Sequence, residues 1–161
     1  MQWKANSKAS IVLVDDEEMV LISVKALLQL ETEYDVHPFT DPEEAARFLE
    51  KDTVDTVIAD YLMPKMNGIQ LLMKAKQFQP EASRVLLTGH ADKQSAILAI
   101  NEVALFQYIE KPWDNAQLRL VVQSGIERTQ LFRTLREKIS ELDAAHSNLK
   151  DVQRRLIKAF L

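Results

Sequence analysis

Five short runs rich in Val, Ile and Leu recur through residues 1–125, each followed by a stretch with helical spacing, and this alternation restricts the possible folds more than any other feature. The runs are Ile11–Val14, Tyr34–Phe39, Val54–Ala59, Arg84–Leu87 and Leu105–Ile109. After the first, Val20, Leu21, Val24, Leu27 and Leu28 mark one face of a helix over Glu17–Leu30. After the second, Asp41-Pro42-Glu43-Glu44 supplies an N-cap, a proline at the first helical position and acids in the first turn of a helix running to about Glu50. A helix beginning near Ile69, another over Asp92–Val103 and a last one capped by Asp114 complete five βα repeats. Strands this uniformly apolar are buried on both faces, and helical crossovers join strands in parallel. The expectation is an α/β fold, a doubly wound parallel sheet covered by helices.

Four of the runs end on a polar residue: Asp15 and Asp16, Asp60, Thr88, and Lys111. In open sheets of this type ligands sit outside the carboxyl ends of the strands. Three carboxylates, a hydroxyl and an ammonium would therefore converge on one pocket. An aspartate at a strand end is, on its own, more often a helix cap than a ligand. Five suitable residues at the ends of the first, third, fourth and fifth strands make a different case. A hard cation such as Mg²⁺ prefers carboxylate and carbonyl oxygens and is shared with phosphate oxygens. One of the carboxylates could attack phosphorus to give an aspartyl phosphate, with Lys111 and the Thr88 hydroxyl holding phosphoryl oxygens.

Beyond Asp114 helical patterning continues to Leu161 with the lone Gly125 as its single weak point, which at ~1.5 Å per residue would make a helix ~70 Å long. Leu135, Leu142, Leu149 and Leu156 recur every seven residues, with Phe132, Ile139, His146, Gln153 and Phe160 at the other seam position. This is a heptad pattern with leucine at d, and polar His146 and Gln153 at a would specify register. Lys138 at g and Asp143 at the following e pair favourably between parallel chains. The expected division is an N-terminal tail (1–9), a domain over 10–125 and a coiled-coil extension over 126–161 that forms a homodimer.

Composition agrees with one ordinary core plus an appendage: 161 residues, 47% hydrophobic. Residues 1–125 hold 12 Lys/Arg against 19 Asp/Glu, a net −7, and residues 126–161 hold 8 against 5, a net +3. An acidic body argues against a nucleic-acid partner, and the tail's excess is small. Without cysteine there is neither a disulfide framework nor a thiolate metal site. The three histidines, His37, His90 and His146, lie far apart in the chain, which disfavours zinc. The start MQWKANSKAS has no apolar signal-peptide core, and no segment approaches membrane-spanning length. A cytoplasmic protein with no membrane partner is expected.

The segments VLVDDEE, VIADYLMPKMNG, LLTGHAD and YIEKPW, in this order and spacing over residues 10–125, resemble the receiver domain of two-component response regulators. The resemblance implies the flavodoxin-like (βα)5 fold, strand order 2-1-3-4-5. It implies Asp60 as phosphoacceptor, Asp15, Asp16, Asp60 and the Leu62 carbonyl as Mg²⁺ ligands, and Thr88 and Lys111 as phosphoryl contacts. Thr88 and Tyr108 would be the switch pair, the ring moving inward as the hydroxyl shifts toward phosphate. Gly89 would leave the pocket open, Pro64 and Gly68 would shape the loop that delivers the Leu62 carbonyl, and Pro112 matches a Lys-Pro bond that is often cis in the family. His90, two residues past Thr88, would tune water access or stand as an exposed loop residue.

A sensor histidine kinase or phosphotransfer protein would be the phosphodonor. The signal would leave through the fourth helix, fifth strand and fifth helix and the dimeric coil, toward an output domain or effector absent from these 161 residues. TGHAD, AIN and KPW resemble receivers that precede cyclic-di-GMP phosphodiesterases or other enzymatic outputs. The chain itself would carry no enzymatic turnover beyond its own phosphorylation and slow dephosphorylation. Phosphohydrolases with an aspartyl nucleophile place a second acid two residues later, and here that residue is Leu62. A phosphate-binding glycine loop is excluded by a count of three glycines. The alternative is a coiled-coil adaptor whose receiver does not signal by phosphorylation.

Overall fold

The computed structural model describes residues 8–160. Residues 1–7 of the expected N-terminal tail and the side chain of His90 lie outside the described residues. The chain forms two compact units, one ending at Thr129 and one beginning at Gln130.

In the first unit five strands, β1 (Ser10–Val14), β2 (Asp35–Phe39), β3 (Thr56–Asp60), β4 (Ser83–Thr88) and β5 (Gln107–Glu110), alternate with α1 (Glu18–Gln29), α2 (Pro42–Lys51), α3 (Gly68–Phe78) and α4 (Lys93–Val103). A final helix, α5, runs Asn115–Phe160. All neighbouring strands are parallel, in the order β2-β1-β3-β4-β5 expected from the resemblance. Every residue of β3 and β4 is buried, as central strands covered on both faces require.

Each face of the sheet has its own core. Val12, Val14, Val57, Ala59 and Leu86 pack with Leu49 of α2, Leu71 and Leu72 of α3, and Ala96 and Val103 of α4. Ile11, Leu13, Ile58, Val85, Leu87 and Ile109 pack with Leu21, Val24 and Leu28 of α1 and Leu118, Val122 and Ile126 of α5. The alternation of strand side chains between the faces is the period-2 geometry of a pleated strand.

Strand and helix ends differ from the sequence expectation by one or two residues, for local reasons. β3 begins at Thr56 rather than Val54, because the Val54 amide donates to the Gln79 side chain (2.7 Å); the Asp55 amide, on the Ser10 carbonyl of β1 (2.8 Å), leads into the ladder. α3 begins at Gly68, where Asn67 and Gln70 form a reciprocal capping box. α4 follows a 3-10 turn at His90–Asp92, so it starts one residue later than Asp92. β5 starts at Gln107 rather than Leu105, since Ala104 takes a left-handed conformation (φ 48°) that ends α4.

Two buried polar groups pin helices to the amino end of β4. The Arg84 guanidinium donates to the carbonyls of Val103 (2.8 Å), Ala82 (3.0 Å), Pro80 (3.2 Å) and Ala104 (3.3 Å), tying the carboxyl end of α4 to the sheet. Thr129 of α5 accepts from the Ser83 amide (3.1 Å), lies 2.9 Å from the Ser83 hydroxyl and reaches the Asp55 carbonyl at 2.8 Å. Gly125 allows this approach, because a Cβ there would stand 3.2 Å from that of Ser83.

The second unit is the helical stretch from Gln130, where Leu135, Leu142, Leu149 and Leu156 are all exposed, as are Phe132, Ile139, His146 and Gln153. Among the described residues no helix is long and apolar enough to cross a membrane.

Candidate functional site

Asp15 follows β1 directly. Its amide continues the ladder to the Phe39 carbonyl (3.1 Å), and its carboxylate accepts from the Glu17 amide (2.9 Å) at the start of α1. The side chain is thereby fixed and fully buried, whereas Asp16 beside it is exposed. Asp60 is the last residue of β3 and is 7% exposed. The next amide, Tyr61, donates to the Leu87 carbonyl (2.9 Å), and Lys111 donates from its amide to the Thr88 carbonyl (2.7 Å). The ends of β3, β4 and β5 are thus held in register at the pocket.

The side chains of Asp60, Lys111 and Asp15 meet. Lys111 Nζ lies 3.0 Å from Asp60 Oδ1 and 3.4 Å from Asp15 Oδ2. Carboxylate oxygens of Asp15, Asp16 and Asp60 fall within 4.8 Å of one another, an arrangement able to hold a metal ion. Three carboxylates and one ammonium leave a formal charge of −2 (3 × −1, +1), which a divalent cation would balance. Thr88 is fully buried, and its hydroxyl has no hydrogen-bond partner among the described residues. A buried hydroxyl without a partner is costly, and one facing a pocket suits a ligand oxygen.

Burial raises the Asp60 carboxyl above its ordinary range, against the lowering influence of Lys111; Asp16 adds to the rise. Burial raises Asp15 as well, opposed by the Glu17 amide and reinforced by Asp60. Burial would lower the Lys111 ammonium, but the Asp60 and Asp15 carboxylates outweigh it and hold it above its ordinary value. The three groups share one balance: repulsion among acids in a dry pocket, relieved in part by one cation.

The remaining predicted residues surround this centre. Leu62 is in the loop after β3 with its side chain 62% exposed. Tyr108 is half-buried on β5 opposite Leu86, two residues before the position opposite Thr88, and packs on the core. The Lys111–Pro112 peptide is cis. Gly89 is spacious, since an added Cβ would meet Asp92 Oδ2 at 3.4 Å. Gly68 is the opposite: an added Cβ would stand 2.3 Å from the Asp60 carbonyl oxygen. The sequence pattern names Gly68 as a loop residue and misses this contact with the backbone of Asp60. The Glu17 amide that fixes Asp15 also has no sequence signal beyond the start of a helix.

A doubly wound parallel sheet with an acid–lysine cluster at its carboxyl edge defines the class, a flavodoxin-like α/β domain whose acids could hold a metal ion. The chain belongs to the response regulator receiver domain family, whose model matches residues 11–123. It is 28% identical over 130 residues to the hydrogenase transcriptional regulatory protein HoxA of Bradyrhizobium diazoefficiens, covering 81% of this chain and 26% of that protein. The chain thus spans about a quarter of the length of this curated relative. Among solved structures, adenylate cyclase from Rhodopirellula baltica superposes with a TM-score of 0.78 at 27% identity, covering 83% of this chain and 98% of that one. A response regulator receiver domain protein from Clostridium thermocellum gives 0.71 at 34% identity, covering 77% and 98%.

Proposed function

We propose that the chain is a phosphorylation-controlled receiver in which Asp60 accepts a phosphoryl group from the phosphohistidine of a sensor kinase or phosphotransfer protein. An Asp60 carboxylate oxygen forms the O–P bond as the N–P bond breaks. The electron pair stays on the departing imidazole, which takes a proton. Mg²⁺ held by Asp15, Asp16, Asp60 and the Leu62 carbonyl would offset the repulsion between anionic nucleophile and anionic donor. Lys111 exchanges its contact with Asp60 for a phosphoryl oxygen, keeping Asp15 as its second partner. The Thr88 hydroxyl donates to another phosphoryl oxygen and so gains the bond it lacks. Tyr108, behind Thr88 on β5, follows that movement as the switch residue.

Dephosphorylation by water returns the carboxylate. With Leu62 where a phosphohydrolase would carry a general acid, the acyl phosphate is long-lived, and the domain is a switch rather than an enzyme. The tail pairs two copies through Leu135, Leu142, Leu149 and Leu156 with Phe132 and Ile139, and the receiver acts in the cytoplasm on an output beyond this chain. Among the similar proteins, one is a hydrogenase transcriptional regulatory protein and another is named an adenylate cyclase, so the family resemblance fixes no single output.

The observation that carries this reading is Lys111 within 3.4 Å of both Asp60 and Asp15 at the carboxyl edge of the sheet, where β4 ends on Thr88. Incubation with a radiolabelled small phosphodonor should label the wild type in Mg²⁺ but not in EDTA, and should not label Asp60→Asn. Equal labelling of the variant would remove Asp60 from the role.

A further inference from the structure

The tail holds more apolar surface than a single heptad phase explains. Carried past Leu142, the phase of Phe132, Leu135 and Ile139 puts His146 and Gln153 in the core, while Ala145 and Val152, one residue earlier, are left beside it. Val152 is 51% exposed, and Leu149 and Leu156 on either side of it are 63% and 52% exposed. Apolar spacing runs 3, 4, 3 from Phe132 to Leu142 and then 3, 4, 3, 4 through Ala145, Leu149, Val152 and Leu156. Two consecutive steps of three meet at Leu142. Such an interruption, a stammer, overwinds a coiled coil locally.

We propose that a second copy of this chain docks in parallel along the tail, and that their common seam changes phase at Leu142, admitting Ala145 and Val152 and turning His146, Gln153 and the terminal Phe160 to the flanks. The inference rests on the paired tail described above. In the shifted phase, residues five apart across the two chains flank the core. Glu141 then faces His146 of the partner subunit, and Asn148 faces Gln153 of the partner subunit, so the polar side chains meet polar ones. In the unshifted phase Ala145 faces Lys150 of the partner subunit and two polar residues are buried in the seam. Lys138 and Asp143 of the partner subunit span Leu142, and their pairing belongs to the unshifted phase alone. Replacing an a position by its preceding neighbour turns the seam midline by a seventh of a turn, about 50°. The stammer therefore gives the tail a built-in twist between its two halves.

The absence of cysteine permits a direct test. Single-cysteine variants of the full chain, Ile139→Cys, Ala145→Cys, His146→Cys, Val152→Cys and Gln153→Cys, are oxidised mildly and their disulfide dimers quantified over time. Ile139→Cys reports pairing in the half that both phases share. Cross-linking of Ala145→Cys and Val152→Cys several-fold faster than His146→Cys and Gln153→Cys is expected. Rates that are equal or reversed, with Ile139→Cys still cross-linking, overturn the phase change and leave the pairing intact. Loss of cross-linking in all five, with a monomeric mass, overturns both. Independently, Val152→Gln should weaken dimerisation at least tenfold while Gln153→Leu strengthens it less than threefold, and the opposite ranking overturns the proposal.

Discussion

At the scale of single residues, two buried threonines share one defect and differ in consequence. Thr56 and Thr88 both have fully buried hydroxyls without a partner among the described residues. Replacing either by the isosteric valine removes an unsatisfied group, so both variants should be about 1 kcal/mol more stable by thermal or urea melting. Only Thr88→Val should lose the structural response to phosphorylation, because Thr88 alone lies at the pocket. The acids behave in a related way. Asp60 has a raised carboxyl, chiefly from burial, so the folded protein holds that proton more tightly than the unfolded chain. Its stabilising effect is complete below the ordinary value of 3.8 and is lost as pH rises through the higher folded value. In EDTA, Asp60→Asn should therefore melt above wild type at neutral pH, and the gap should close as pH falls below 3.8. A gap that widened on acidification would contradict the dominance of burial.

Among elements, the loop from β3 to α3 is the tightest junction. Gly68→Ala would force a methyl against the Asp60 carbonyl and should cost about 1–3 kcal/mol, with phosphorylation slowed because Asp60 itself must shift. Stability and labelling rate measured together check this. At the other end of the sheet, Thr129→Val removes the hydroxyl that bridges the Ser83 amide and the Asp55 carbonyl but leaves their own 3.0 Å bond in place, a loss of about 0.5–1.5 kcal/mol readable in urea melts. The five strands were legible in the sequence because buried parallel strands are written as Val/Ile/Leu runs, and the pocket was legible because Asp15, Asp60, Thr88 and Lys111 end those runs. The Asn67–Gln70 box had a local signal too, a capping residue followed three later by glutamine, which the expected helix start near Ile69 did not use. Partners such as Ser83 and Thr129, 46 residues apart, or Gln79 and Val54, 25 apart, leave no local trace. Tertiary hydrogen bonds of this kind moved the strand ends away from where the apolar runs begin and end.

For the whole molecule, the receiver and the tail should separate in mutagenesis. Leu149→Asp puts a charge in the proposed seam and should give a monomeric mass by light scattering, with Mg²⁺-dependent labelling of Asp60 unchanged. A variant that lost both would show the receiver to need the paired tail. The pocket and the Thr129 anchor lie at opposite ends of β4, Thr88 at one and Ser83 at the other, separated by roughly 17 Å of strand. Every residue of that strand is buried, and a close-packed interior is nearly incompressible. Arg84 meanwhile fastens the carboxyl end of α4 near Ser83, while the amino end of α4, reached from Thr88 through the 3-10 turn, has no side-chain cap. The helix is thus pinned at Arg84, while its amino end rests on Lys93, 4.0 Å from Glu110 of β5, so a movement proposed to start at Thr88 would meet the less firmly held end first and leave the buried strand still.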